Sequence, residues 1–153
     1  MAVVRGKDFK LYRNTDDPYD NSPTWALVTN VRDLTRNLTT DVADASTRAS
    51  SFKQQVATMM DLSVDFQMVY DGGSDADAFE AAFFANSDVE LAILDGLLAT
   101  DGSSGIRASF QVTKFTVNEA LTDVGLVDVT VVPSYGTNLP RRVVAGSGAL
   151  TDV

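Results

Sequence analysis

The sequence has no histidine and no cysteine among its 153 residues. Their absence excludes catalytic triads that need an imidazole, zinc sites built on these ligands, and disulfide frameworks. Long hydrophobic runs are also missing: nowhere do ~18 apolar residues follow one another, and the first residues, MAVVRGKDFKLY, contain no signal-peptide core. We therefore expect a protein that is made in the cytoplasm, without a leader or a membrane span.

Basic residues are scarce. The 12 lysines and arginines are outnumbered by 21 acidic residues, which gives a formal charge of -9. A surface of this sign repels nucleic acid rather than binding it. Only three of the acids are glutamates, and the aspartates that make up the rest favour turns and strand ends over helix surfaces. The acids are spread along the chain, so ordinary solubility is the plainest explanation of the charge.

Without histidine or cysteine, paired carboxylates are the remaining candidates for catalysis. Asp61 with Asp65 and Asp123 with Asp128 have suitable spacing. Neither pair has the aromatic or polar neighbours in sequence that a catalytic cleft needs. We therefore expect the protein not to be an enzyme.

The stretch DGGSDAD resembles a calcium-binding loop. The hand-type pattern requires a glycine and a glutamate where Ala76 and Ala82 stand. The glycines lie in DGG, DG and GSSG turns rather than in a strand-loop-helix phosphate site. We predict no metal, no nucleotide and no other cofactor.

A period-two pattern marks the stretch DLSVDFQMVY at residues 61–70. One side of such a strand faces a core, and the other side is polar. The apolar side consists of Leu62, Val64, Phe66, Met68 and Tyr70. Further strands are predicted from DFKLYR, TWALVTNV, DLTRNLTTD, VELAILD, IRASFQVTKFTVN and VGLVDVTVV. At Lys114-Phe115 the apolar phase slips by one residue, as a β-bulge requires.

One helix is predicted, from DGGSDADAFEAAFFAN. Ser74 and Asp77 have capping-box spacing, and the apolar residues that follow recur at helical intervals. The pattern as a whole predicts a single domain over residues 1–153, mainly β: an antiparallel β-sandwich or barrel with one flanking α-helix. Several strands are long, and their edges need a partner, which favours self-association.

Three segments lack strand or helix patterns. Residues 40–58 are small and polar, which predicts a long loop with strand character at most at its ends. Residues 1–7 are predicted to form an N-terminal arm, and residues 134–153 a C-terminal arm without a core of its own.

The order of these pieces resembles the major tail tube proteins of long-tailed bacteriophages. The stretches that carry the resemblance are RGKDFKLY, TWALVTNVRDLTRNL, DLSVDFQMVYD, ELAILDG, GIRASFQVTKF and VTVVPSYG, which together span residues 5–136. The resemblance implies homohexameric rings that stack into a tube in the virion tail, where each subunit gives two long hairpins to a continuous inner β-barrel. It also implies tail-tip, tail-terminator and tape measure proteins as partners, the transient passage of double-stranded DNA, and no membrane.

If strands 33–39, 61–70, 105–113 and 124–132 are these hairpins, their polar sides face the lumen of the tube. Alternation then gives a lumen-facing set of Asp33, Thr35, Asn37, Thr39, Ser63, Asp65, Gln67, Arg107, Ser109, Gln111, Thr113, Asp128 and Thr130. Its three acids and one base leave a charge of -2 per subunit and -12 per ring. A wall of this sign lets DNA slide, because basic residues would bind the phosphates and hold it.

The resemblance also implies a role for the predicted loop at residues 40–58, because this loop reaches the neighbouring ring in tail tubes. The implied inter-ring contacts are Asp41, Asp44, Arg48, Phe52 and Lys53. The terminal arms often make similar contacts. The loop and the segment after residue 136 match the family least well.

Two other functions stay open. The first is a β-sandwich recognition module on a virion, which usually exposes aromatic side chains on its loops. Trp25 lies in a predicted strand and is expected in the core instead. The second is a tube subunit of a related secretion or gene-transfer machine, which shares the fold and the symmetry of a tail tube.

Overall fold

The computed structural model describes residues 3–15, 23–119, 121–122, 124–136 and 138–153. Within these residues the chain forms nine β-strands, one α-helix and a short 3-10 helix at Gly6–Asp8. The strands are β1 (Lys10–Asn14), β2 (Trp25–Leu27), β3 (Val31–Asp44), β4 (Gln55–Val69), β5 (Asp88–Leu94), β6 (Ser104–Asn118), β7 (Leu126–Pro133), β8 (Arg141–Gly146) and β9 (Ala149–Asp152). The helix α1 spans Ser74–Ala85. None of the helices in these ranges has the length and hydropathy that a membrane crossing requires.

The strands pair in antiparallel fashion in the order β2-β1-β5-β6-β7-β4-β3, and β8 adds to β6 and carries β9. The first two predicted strands pair with each other, with Tyr12 opposite Leu27, although β2 has only 3 residues. β3 with β4 and β6 with β7 form two longer hairpins, which are joined by the pairing of β4 with β7. The fold is mainly β with one α-helix, as predicted. The sheet does not close into a barrel within the subunit.

The strand β6 belongs to two parts of the sheet. Its first part pairs with β5 as far as Gln111, and its second part pairs with β7. The register with β7 shifts between Val112 and Lys114, so Thr113 is the extra residue of a β-bulge. The structure therefore confirms the bulge that the phase slip of the sequence predicted.

The apolar sides of the long strands form the main core, as the alternation predicts. Its buried residues include Leu62, Val64, Phe66, Met68, Val127, Val129 and Val131. Tyr70 was predicted on this side but is 43% exposed, because β4 ends at Val69. The helix packs on the core through Phe79, whose ring meets that of Phe66 edge to face at 5.2 Å.

The predicted capping box is wrong, although the helix itself is present. The N-cap residue is Gly73, and no side chain caps the first turn. The carboxylate of Asp71 accepts a hydrogen bond from the Gly73 N–H at 2.8 Å, and this turn starts the helix at Ser74. The residue after the helix, Asn86, is its C-cap and has the left-handed conformation, in which asparagine is tolerated.

The predicted loop at residues 40–58 is largely strand. β3 runs on to Asp44, and β4 starts at Gln55 and spans 15 residues, so only residues 45–54 connect them. The alternating backbone bonds of a ladder do not require apolar side chains, and small polar residues can extend a hairpin into solvent. We call residues 45–54 the hairpin tip.

The terminal segments also differ from the predictions. Residues 134–153 are not an arm without a core: β8 pairs with β6, and its Val143 and Ala145 are buried. At the other end, the strand that was predicted from residue 8 begins at Lys10, after the 3-10 helix. Residues 1 and 2 of the predicted N-terminal arm lie outside the described residues.

The turn between β8 and β9 gives a stability prediction. Ser147 and Gly148 form its two-residue loop with φ of 54° and 76°, the left-handed geometry of a hairpin turn that favours asparagine and glycine. Ser147→Asn is expected to raise the free energy of unfolding by roughly 0.5 kcal/mol. Thermal unfolding should show a rise of about 1–2 °C in Tm.

Ser147→Val is the matched control, because a β-branched side chain resists this backbone conformation. It should lower Tm. Both substitutions keep the backbone N–H of residue 147 that donates to Asp101 at 2.9 Å. Equal Tm values for the two variants would contradict this account of the turn.

Candidate functional site

The four strands β6, β7, β4 and β3 form a sheet with two unlike faces. Opposed residues of an antiparallel pair point to the same side. Thr35, Asp65 and Thr130 are opposed across three strands, and so are Asp33, Gln67 and Asp128. The residues between them in sequence are Phe66 and Val129, which are buried in the core, and Leu34, which packs against it; the polar side chains therefore lie on the opposite, open face.

We define this polar face by its exposed and half-buried members. They are Asp33, Thr35, Asn37, Thr39, Asp61, Ser63, Asp65, Gln67, Lys114, Thr116, Asp128 and Thr130. Nine of them were predicted from alternation. The structure brings these nine together on one side of one sheet, which is the arrangement that a shared surface requires.

Hydrogen bonds fix the polar face across the strands. The carboxylate of Asp65 accepts from Thr130 Oγ1 at 2.6 Å and from Asn37 Nδ2 at 3.1 Å. The carboxylate of Asp128 accepts from Gln67 Nε2 at 3.1 Å. Side chains held in this way present an ordered surface of oxygens and amides.

The sequence prediction missed three members of the polar face. Lys114 is opposed to Thr130 and Thr116 to Asp128, because the bulge at Thr113 moves the alternation of β6 by one residue. Asp61, which is opposed to Thr39, was also left out. The phase slip in the sequence could have identified Lys114 and Thr116.

The polar face is negatively charged. With four carboxylates and one ammonium group, it carries a charge of -3.

Arg107 does not lie on the polar face, and its prediction is wrong. Its guanidinium donates to Glu90 at 2.6 Å, and the side chains are 11% and 0% exposed. Asn14 Nδ2 donates to the other oxygen of Glu90 at 3.0 Å, and the ring of Trp25 lies 5.3 Å from the guanidinium. Arg107 sits in the part of β6 that pairs with β5 and β8, where other strands cover it.

Ser109 is buried as well, so its predicted exposure is also wrong. Asn138 Nδ2 donates to Ser109 Oγ at 2.9 Å, and Arg141 Nη1 donates to Asn138 Oδ1 at 2.6 Å. The segment after β7 folds back over this part of β6, which the sequence pattern does not reveal.

The other two predicted residues lie at the border of the polar face. Gln111 is half-buried, and its side-chain amide donates to Asn86 at the end of α1. Thr113 is the bulge residue, and its hydroxyl donates to the backbone oxygen of Thr130 at 3.2 Å. At these two residues the pairing of β6 with β5 ends.

Both outer edges of the four-stranded sheet are free in the part of the chain that the structure describes. The strand β3 pairs with β4 alone along its 14 residues. The strand β6 pairs with β5 only as far as Gln111, so its last residues have no partner on the side opposite β7. Free edges of this length are templates for pairing with another chain.

The hairpin tip extends beyond the core. Phe52 is 80% exposed there, and Asp41, Asp44, Arg48 and Lys53 of the predicted contact set are exposed too. Hydrogen bonds from Ser46 hold the pKa of the Asp44 carboxyl below its ordinary value, so this group is anionic at neutral pH. The tip carries the aromatic group and two bases, and the end of β3 beside it carries the two acids, so together they form an exposed surface with both charges.

One acidic pair considered for catalysis lies on the polar face. Asp61 and Asp65 are exposed there, and Asp65 lines a shallow depression of about 320 Å³ with Asp33 and Asp128, while Asp123 lies outside the described residues. Over the described ranges, no three acidic side chains come together as metal ligands would. Trp25, which was expected in the core, is partly buried and packs against a smaller core formed by Tyr12, Ala92, Leu94 and Val143.

No protein-family model and no curated protein matches this sequence. Solved structures do match it. A chain from the tail of an empty gene transfer agent particle with C6 symmetry has a TM-score of 0.70 at 11% identity, with 99% of each chain covered. The SPP1 tail tube gives a TM-score of 0.69 at 10% identity and covers 94% of this chain and 77% of that one.

A chain of the anti-feeding prophage baseplate is also similar, with a TM-score of 0.58 at 10% identity over 93% of this chain and 95% of that chain. At such identities the likeness concerns the fold alone. The chain has the fold of these tube and baseplate components, which confirms the predicted fold class.

Proposed function

We propose that the chain is the structural subunit of a bacteriophage tail tube, in which hexameric rings stack into a hollow conduit for the genome. The observation that carries this proposal is the sheet β6-β7-β4-β3, which has a core face, a polar face and two free edges. The fold shared with a tail of C6 symmetry supports the sixfold ring. A virion tail is the corresponding location.

A ring closes when the free edges of neighbouring subunits pair with each other. When β3 of one subunit pairs with the end of β6 of the next, the four-stranded sheets join into one barrel. Closure removes edges that would otherwise recruit other chains. The polar face then lines the lumen, because the opposite face is filled by the core and α1.

The composition of the polar face suits a DNA channel. Six copies carry a charge of about -18 by the count of carboxylates and Lys114. DNA phosphates therefore meet mainly oxygens and amides. Few basic side chains are present that would release counterions and bind the duplex. The face has no aromatic member on which bases could stack.

Stacking and attachment involve other surfaces. We assign the contact between rings to the hairpin tip with Asp41 and Asp44, and we expect tail-tip, tail-terminator and tape measure proteins at the ends and interior of the tube. These roles require binding and no reaction, so we assign no enzymatic activity. The exposed Phe52 is the apolar anchor of the tip.

Reversing the charge of the lumen tests the channel. Asp65→Lys with Asp128→Lys changes the charge of the polar face from -3 to +1. Virions that carry this variant are expected to assemble tubes but to eject DNA at least about tenfold less well, since lysines bind phosphate. DNA ejection and plaque counts give the measurement.

Asp65→Asn with Asp128→Asn is the matched control. It keeps oxygen acceptors for Thr130 and Gln67 while removing the charge. Its infectivity should stay near that of the unaltered virion. Normal ejection through lysine-lined tubes would exclude the polar face from the lumen.

A tube subunit of a secretion-like machine is the second candidate, and the likeness to the anti-feeding prophage chain favours it. Such a tube would have the same ring and pore. Isolation of the native particle separates the two functions: a DNA-filled head on the tube supports the phage tail, and a headless particle supports the alternative.

A further inference from the structure

A cleft lies between the start of β3 and the strands β1 and β2. It has a volume of about 920 Å³. Its floor is apolar and includes Leu11 and Val28 of the main core. Its basic lining residues, which define the cationic cleft, are Lys7, Lys10, Arg32 and Arg36.

The charge of this cleft is opposite to that of the protein. Four bases and one acid, Asp33, line it, while the whole chain carries -9. Across the described residues, none of the four bases is in an ion pair; the ammonium of Lys10 donates to the backbone oxygen of Lys7 at 3.1 Å. The cleft is therefore suited to an acidic partner with an apolar anchor.

The helix α1 offers such a surface on the same chain. Asp77, Glu80 and Phe84 follow one another at helical spacing on the face away from the buried Ala76, Phe79 and Ala82; Asp77 and Phe84 are exposed, and Glu80 is half-buried. Phe84 is 78% exposed, and its ring stacks edge to face on the partly exposed ring of Phe83 at 5.7 Å. The last turn has no basic residue, so the negative end of the helix dipole is uncompensated there.

Each of the two surfaces adjoins one of the two free edges of the four-stranded sheet. The end of α1 is tied to β6 by the bond from Gln111 to Asn86, next to the free stretch of β6. The cationic cleft is lined by Arg32 and Arg36 of β3, the strand with the other free edge. Pairing β6 of one copy with β3 of the next thus turns α1 toward the cleft.

We propose that the outer face of α1 docks into the cationic cleft of the neighbouring copy within a ring. The occupant is a second copy of this chain, and the proposal rests on the tail tube function above. Phe83 and Phe84 fill the apolar floor, and Asp77 and Glu80 meet the four bases. This contact gives ring closure a direction and a specificity that backbone pairing of edges alone lacks.

A charge swap tests the docking. Asp77→Lys with Glu80→Lys is expected to raise the protein concentration needed for half-maximal ring formation at least about tenfold, and so is Lys10→Glu with Arg36→Glu. All four changes in one chain should bring that concentration back to within about threefold of the unaltered value. Light scattering and electron microscopy measure assembly, and thermal unfolding of each monomer checks its fold.

Asp101→Lys is the control, because Asp101 is an exposed acid whose partner is the turn at Ser147. It should assemble like the unaltered chain. Failure of the four-residue swap to restore assembly, with monomers that are folded, would overturn the docking while leaving the tube function in place. Absence of rings and tubes from the unaltered chain would overturn the tube function itself.

A covalent trap gives an independent test, since the chain has no cysteine. Ala81→Cys on α1 and Lys7→Cys at the cleft, placed in one chain, should yield covalent multimers up to hexamers when assembled tubes are oxidised or treated with a short bis-maleimide. The two single-cysteine chains should not form this ladder. Tubes of the double variant that stay monomeric in denaturing gels would overturn the proposed contact.

Discussion

Replacing the hairpin tip, residues 45–54, by the dipeptide Asn-Gly is expected to abolish the stacking of rings into tubes while the subunit stays folded. The hydrogen bonds of the tip are local: Ala45 and Ser46 bond to Gln54, and Ser46 bonds to Asp44 at the end of β3. Asp44 and Gln55 are opposed in the ladder, so a two-residue turn can join them directly. The core and both free edges are unchanged.

Electron microscopy and size-exclusion chromatography give the measurement for this variant. We predict single rings, or small oligomers, in place of filaments. Phe52→Ser is the milder companion, because it removes the exposed aromatic anchor but keeps the tip. Filaments of normal length from the shortened chain would show that the tip makes no essential contact between rings.

Replacing Arg107 by alanine is expected to lower the free energy of unfolding by about 3–5 kcal/mol, because the buried carboxylate of Glu90 loses its counter-ion. Glu90 is fully buried, and Asn14 is its second bonding partner. The substitution also removes the contact between the guanidinium and the ring of Trp25. Chemical denaturation of the monomer measures the loss.

A variant that lacks both charges tests whether the unpaired buried carboxylate causes this loss of stability. Glu90→Gln with Arg107→Met removes both charges and keeps an oxygen that can accept from Asn14. This pair should be more stable than Arg107→Ala alone, since no unpaired buried charge remains. A double variant that is less stable than Arg107→Ala would contradict the electrostatic explanation.

The core and the polar face were largely predictable from alternation. In the stretch from Leu62 to Met68, side chains with period two lie on a two-faced strand, and the structure places them so. The slip at Lys114-Phe115 predicted the bulge at Thr113. The same slip also indicates that Lys114 lies on the polar face.

The remaining differences come from contacts between distant segments. Arg107 and Ser109 have the same alternation as Asp65, but Glu90 and Asn138 bury them. Tertiary packing decides which polar residues are covered by a later segment. Local periodicity in the sequence does not contain this information. For the same reason the C-terminal hairpin was predicted as an arm.

The length of the long hairpin was missed for a different reason. Residues 40–58 contain few large apolar groups, and strand prediction relies on apolar alternation. The ladder of β3 with β4 continues because backbone bonds propagate it, as the pairing of Ala43 with Val56 shows. A polar strand of this kind is recognisable only from its partner.

An electron cryomicroscopy map of the assembled filament tests the central claim most directly. We predict sixfold rings in which β3 of each subunit pairs with the end of β6 of the next, and in which Ser63, Asp65 and Gln67 point at a continuous axial pore. A filament with these three side chains on its outer surface, or one without a pore, would contradict the account.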